Sequence, residues 1–91
     1  MINWFKTLNW KYYSHEYGVF FSELERFADY TFENGIVIRV SKGTMANTDK
    51  EHPYEVNLRY PNGNYRSVNY LSKEELVSKM EAWHNIKTEL I

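Results

Sequence analysis

Three histidines (His15, His52 and His84), two of them beside glutamates (Glu16 and Glu51), are the residues of this chain best suited to hold a metal ion. Metal sites built on one element repeat their ligands at fixed spacings, such as H-x-x-x-H on a helix. Here the histidines come from three separate segments without that spacing, so no metal site is expected. His84 borders the apolar face of the last helix and reads as a packed histidine. His15 and His52 read as exposed.

Nucleophilic chemistry has no better basis. The chain contains no cysteine and no G-x-S-x-G elbow. Ser22 and Ser72 are placed to cap helices, Ser67 falls in a strand, and Ser14 and Ser41 lie near turns. Ser41-Lys42-Gly43-Thr44 lacks the glycine frame and the following helix of a phosphate loop. Glu55 could serve as an acid or base, but it has no partner carboxylate. No cofactor is expected.

One constellation remains, and it suits recognition. Arg59 and Tyr65 should stand side by side across a hairpin, with Asn57, Ser67 and Asn69 on the same face and Arg39 and Lys42 contributed by an earlier strand. Tyrosine and arginine dominate binding hot spots. The competing reading is structural, because an arginine stacked on a tyrosine is a common cross-strand stabiliser.

The elements that position these residues are clearest between Tyr54 and Glu89. Tyr54, Val56, Leu58 and Tyr60 alternate with Glu55, Asn57 and Arg59, and Pro61-Asn62-Gly63 follows. A two-residue Asn62-Gly63 loop would oppose Arg59 to Arg66 and mix apolar with polar residues on one face. A three-residue loop instead pairs Tyr60 with Asn64, Leu58 with Arg66, Val56 with Val68 and Tyr54 with Tyr70. Because a one-residue slip exchanges the faces, burial selects the second register, with proline opening the turn and Gly63 at the left-handed position. Ser72 and Glu75 then form a capping box. Leu71 can staple onto Leu76, and Leu76, Val77, Met80, Trp83, Ile86 and Leu90 line one face of a helix.

The first half is less legible. Trp4, Phe5, Leu8 and Tyr12 fit a helix over residues 3–12, although Leu8, Trp10 and Tyr12 fit a strand equally well. Ser22 and Glu25 match a second capping box, Leu24, Phe27, Ala28 and Thr31 recur at helical spacing, and Asn34-Gly35 reads as a helix stop. Ile36 to Val40 is a β-branched strand, with Ile36, Ile38 and Val40 expected to face the helices. Residues 41–53 have no periodicity and read as a surface loop. The expected fold is α+β, one domain over residues 1–91: a three-stranded antiparallel sheet with two or three helices packed on one face.

Composition narrows the function classes. Eleven basic and twelve acidic residues leave a formal net charge of −1, without the basic excess of a nucleic-acid coat or the acidic excess of a duplex mimic. Aromatic residues make up 18% of the chain, eight of them tyrosine, a side chain suited to half-buried and interface positions. The absence of cysteine favours the cytoplasm. No apolar run near the N-terminus exceeds Val19-Phe20-Phe21, far short of a signal or spanning segment, so no membrane is expected. In size and in its lack of catalytic residues the chain resembles in kind the small accessory or inhibitor proteins carried by phages and plasmids, anti-CRISPR and other anti-defence proteins among them.

Two functions are weighed on this basis. The first is a non-enzymatic protein-binding domain that acts by occlusion, using Arg59, Tyr65, Arg39 and Asn57 on the open sheet face. The second is a single-stranded nucleic-acid binder that stacks bases on Tyr60 or Tyr65 and contacts phosphates through Arg39, Arg59 and Arg66.

Overall fold

A computed structural model describes residues 2–12, 25–43 and 48–87. Among these residues a 3-10 turn (Trp4–Thr7) precedes five strands and a helix: β1 (Lys11–Tyr12), β2 (Arg26–Thr31), β3 (Val37–Lys42), β4 (Tyr54–Arg59), β5 (Tyr65–Leu71) and α1 (Lys73–His84). The strands form one antiparallel sheet in chain order. The helix and the 3-10 turn pack together over one face.

This corrects the expected three-stranded sheet with two or three helices. The expected helix after Ser22 is strand β2 in its described part. Phe27 and Ala28 are both buried, at 1% and 0% exposure, although they point to opposite faces. Phe27 is buried on the otherwise open face of the strand, which breaks the apolar–polar alternation, and Phe27, Ala28 and Thr31 then mimic helical spacing. The β-favouring residues Phe27, Tyr30 and Thr31 were the better guide. Glu25 is buried against Gly43. Ser22 and Leu24 lie outside the described residues. The expected helix over 3–12 divides into the 3-10 turn and the short strand β1, so each of the two readings holds for part of the segment.

The two central hairpins close by one mechanism. In the later one, the amides of Tyr60 and Gly63 donate to Asn64 O and Tyr60 O, both at 2.9 Å, Gly63 has φ +89°, and the Asn62 side chain accepts from the Asn64 amide at 3.0 Å. In the earlier one, Phe32 donates to Ile36 O at 2.8 Å, Gly35 to Phe32 O at 2.9 Å, and the Asn34 side chain accepts from the Ile36 amide at 3.1 Å. Gly35 has φ +91°. Asn34-Gly35 therefore turns a hairpin where a helix stop was expected. Asn34 also donates to the carbonyls of Trp83 and Ile86, at 2.8 and 2.9 Å, tying that turn to the end of α1.

The β4–β5 register follows the three-residue loop: Arg59 opposes Tyr65, Leu58 opposes Arg66, and Val56 opposes Val68. The expected Tyr54–Tyr70 pair is absent because a bulge intervenes. Tyr70 takes φ +58° and Tyr54 pairs with Leu71. Such a bulge inserts one extra residue and shifts every pairing beyond it.

The core lies between sheet and helix. Ile38, Val40, Val56 and Leu58 project from the sheet onto Leu76, Met80 and Trp83 of α1, and Ile36 is buried with them. The Ser72–Glu75 capping box forms as expected. Trp4 closes one end, with 2% exposure, 5.5 Å from the Phe32 ring and 4.9 Å from the His84 ring. No described helix is long and apolar enough to cross a membrane.

Candidate functional site

Strand alternation puts Asp29 and Thr31 of β2, Val37 and Arg39 of β3, Asn57 and Arg59 of β4, and Tyr65 and Ser67 of β5 on the face away from α1. Antiparallel pairing arranges them in two rows. One row runs Asp29, Arg39, Asn57, Ser67, and the other Thr31, Val37, Arg59, Tyr65. All of these except Ser67 line a shallow depression of about 550 Å³.

The first row is internally satisfied. The Arg39 guanidinium donates to both Asp29 carboxylate oxygens, at 2.7 and 2.9 Å, and lies 4.1 Å from the Phe27 ring centre. Ser67 Oγ donates to Asn57 Oδ1 at 2.6 Å. Bidentate pairing and stacking of this kind fix an arginine in place. Arg39 is thus a fixed part of the depression, held by Asp29 and Phe27.

The second row differs. Among the described residues Arg59 makes no hydrogen bond, ion pair or ring contact, and it does not stack on Tyr65. Tyr65 is 74% exposed, the most open of the large apolar side chains described. Val37 and Thr31 complete the row with a small, partly apolar floor. The arrangement offers an uncommitted charge and an uncommitted ring, side by side on rigid strands, bordered by polar groups already paired with one another.

The structure brings Arg59, Tyr65, Arg39 and Asn57 together and separates Tyr60 and Arg66 from them. Arg66 opposes Leu58 and so belongs to the helix side. It shares a second hollow, about 460 Å³, with Tyr60, Asn64, Ile86 and the edge residue Tyr65. Sequence reasoning missed Asp29 and Thr31, which it had placed in a helix. Counting outward from Glu33-Asn34-Gly35 with the three-residue loop geometry of Pro61-Asn62-Gly63 pairs Thr31 with Val37 and Asp29 with Arg39, so the signal was present.

Comparison with protein-family models, curated proteins and solved structures finds no match. The reading of this site therefore rests on its own geometry.

Proposed function

We propose that this chain is a small, non-enzymatic protein-binding domain that occludes a surface of a partner protein, with Arg59 and Tyr65 as its anchors. The free Arg59 charge beside the exposed Tyr65 ring is the observation that supports this most. A tyrosine buries large area with only two rotors to freeze, a guanidinium adds a fork of five donors, and neither here must break an internal contact before binding. Asp29, Arg39, Asn57 and Ser67 form a pre-ordered polar rim. An inhibitor or accessory role of the phage or plasmid kind, anti-CRISPR proteins included, and a cytoplasmic setting belong to this reading.

Binding to single-stranded nucleic acid finds less support. It asks Arg39, Arg59 and Arg66 to act together, yet Arg39 is neutralised by Asp29 and Arg66 faces the other side. The test is affinity capture from a lysate of the source organism with wild type and with Arg59→Ala/Tyr65→Ala, at low and high salt. A protein retained by wild type at both salts and lost by the folded double variant supports the proposal. Retention by the double variant refutes this site. Capture of oligonucleotides that weakens steeply with salt would favour the second reading.

A further inference from the structure

On the helix side, at the end of the sheet near β1, a row of cross-strand neighbours runs Tyr12, Arg26, Lys42. Tyr12 pairs with Arg26 and Arg26 pairs with Lys42. Tyr54 continues the row on β4, because Ser41 pairs with Glu55 one position earlier. Like charges directly opposed on paired strands are destabilising. Here they are held by rings: the Arg26 guanidinium lies 5.4 Å from the centre of Tyr12, and the Lys42 ammonium lies 5.8 Å from Trp10 and 5.6 Å from Tyr54.

Aromatic faces soften this repulsion without cancelling it. The ion pairs between described residues lie elsewhere and include neither Arg26 nor Lys42. Arg26 Nε is shut off from solvent and has no hydrogen-bond partner, and a buried donor left unpaired costs stability until something accepts from it. Burial and the adjacent Arg26 charge both hold the Lys42 ammonium below the ordinary lysine pKa. Glu74 acts on the Tyr54 phenol and pairs with neither cation. Two cations, one with an unsatisfied guanidinium donor, stand beside three aromatic rings, and among the described residues no carboxylate pairs with either.

We propose that Arg26 and Lys42 form a binding site for a phosphate or phosphate monoester dianion, flanked by Trp10, Tyr12 and Tyr54. A dianion matches the two positive charges, and its oxygens accept from a guanidinium and an ammonium together. The rings bordering the pair give the organic part of a small phosphorylated molecule an apolar wall. This site is separate from the Arg59–Tyr65 face and does not depend on it.

The probes are inorganic phosphate and phenyl phosphate, titrated against the whole chain at pH 7.5 with ionic strength held constant by sodium chloride. Saturable quenching or enhancement of tryptophan fluorescence is expected with both. At about ten times the dissociation constant, the thermal midpoint should rise by roughly 6–11 °C. Arg26→Gln and Lys42→Met should each abolish the response. Without phosphate, Lys42→Met should melt at or above the wild-type temperature, because it relieves the opposed charges, and this keeps the test free of a folding defect. Arg59→Ala/Tyr65→Ala should bind phosphate normally. No saturable response in wild type, or a response that survives in a folded Lys42→Met, overturns the proposal.

Discussion

Replacing Trp4 by alanine should be the most damaging single change outside the sheet and helix. Trp4 is only 2% exposed. Its ring meets Tyr30 at 5.9 Å, Phe32 at 5.5 Å and His84 at 4.9 Å, and its indole N–H donates to Glu81 on α1. Truncating a buried tryptophan costs about 3–5 kcal/mol. A 91-residue chain has roughly 5–14 kcal/mol of stability in all, so Trp4→Ala removes a large share of it. In urea, with a slope of about 1 kcal/mol per molar, the unfolding midpoint should fall by roughly 3–5 M. Trp4→Phe keeps a ring but loses the donor to Glu81, which should cost about 1–3 kcal/mol. A cycle with Glu81→Ala isolates the hydrogen bond from the packing. Circular dichroism in urea is sufficient for wild type, Trp4→Ala and the three variants of the cycle. A Trp4→Ala midpoint within about 0.3 M of wild type, beyond the usual extrapolation error, would refute the view that the 3-10 turn is part of the core.

The remaining predictions concern turns and pH. Gly63→Val should cost roughly 1–2 kcal/mol by thermal or chemical melting, because Gly63 has φ +89° while a Cβ there meets nothing within 4 Å. Gly35→Ala should cost more than Gly63→Ala, since its Cβ would sit 2.9 Å from Pro61 Cγ as well as at φ +91°; equal costs would show that the two turns do not abut. The hydrogen bond from His52 to Asp49 raises the His52 pKa and lowers that of Asp49, and the Ser72 amide lowers that of Glu75. The His52 contribution is present below its ordinary value, about 6.5, and is lost as pH rises through the raised one, whereas the carboxylate contributions are lost as pH falls through their lowered values. This exposed cluster should therefore hold best near about pH 5–6. NMR titration of His52 should show a raised pKa that returns toward the ordinary value in Asp49→Asn; an unchanged value there would contradict the assignment.

Legibility from sequence followed how completely local signals agreed. The β4–β5 hairpin and the start of α1 could be read closely because the Pro61-Asn62-Gly63 turn, strand alternation and the Ser72–Glu75 box all favour the same structure. The bulge at Tyr70 escaped, since nothing local marks a non-glycine residue at positive φ, and so did the end of α1 at His84, which leaves Ile86 beyond the helix, while Leu90 lies outside the described residues. Strand β2 was misread because Phe27, buried on the otherwise open face, breaks its period, and its alternative as a capped helix was locally satisfactory. Of the site, Arg59, Tyr65, Arg39 and Asn57 were placed together correctly, while the part played by Arg39 was not. Its partner Asp29 belonged to the misread strand, and long-range pairing decides which charge is free. Tyr60 and Arg66 followed from a chemical analogy that ignored the face each would occupy.

We propose that Arg59 and Tyr65 anchor a partner protein while contributing little to the fold. Exposed cross-strand pairs contribute only about 0.2–1 kcal/mol, whereas interface anchors cost about 2 kcal/mol or more when truncated. The most direct measurement is the affinity of the captured partner for wild type and for Arg59→Ala/Tyr65→Ala, with thermal melting of both proteins in the same buffer. The expected result is a loss of at least about 30-fold in affinity, with a melting point lowered by no more than about 8 °C. Undiminished affinity in a double variant that melts like wild type would contradict the account.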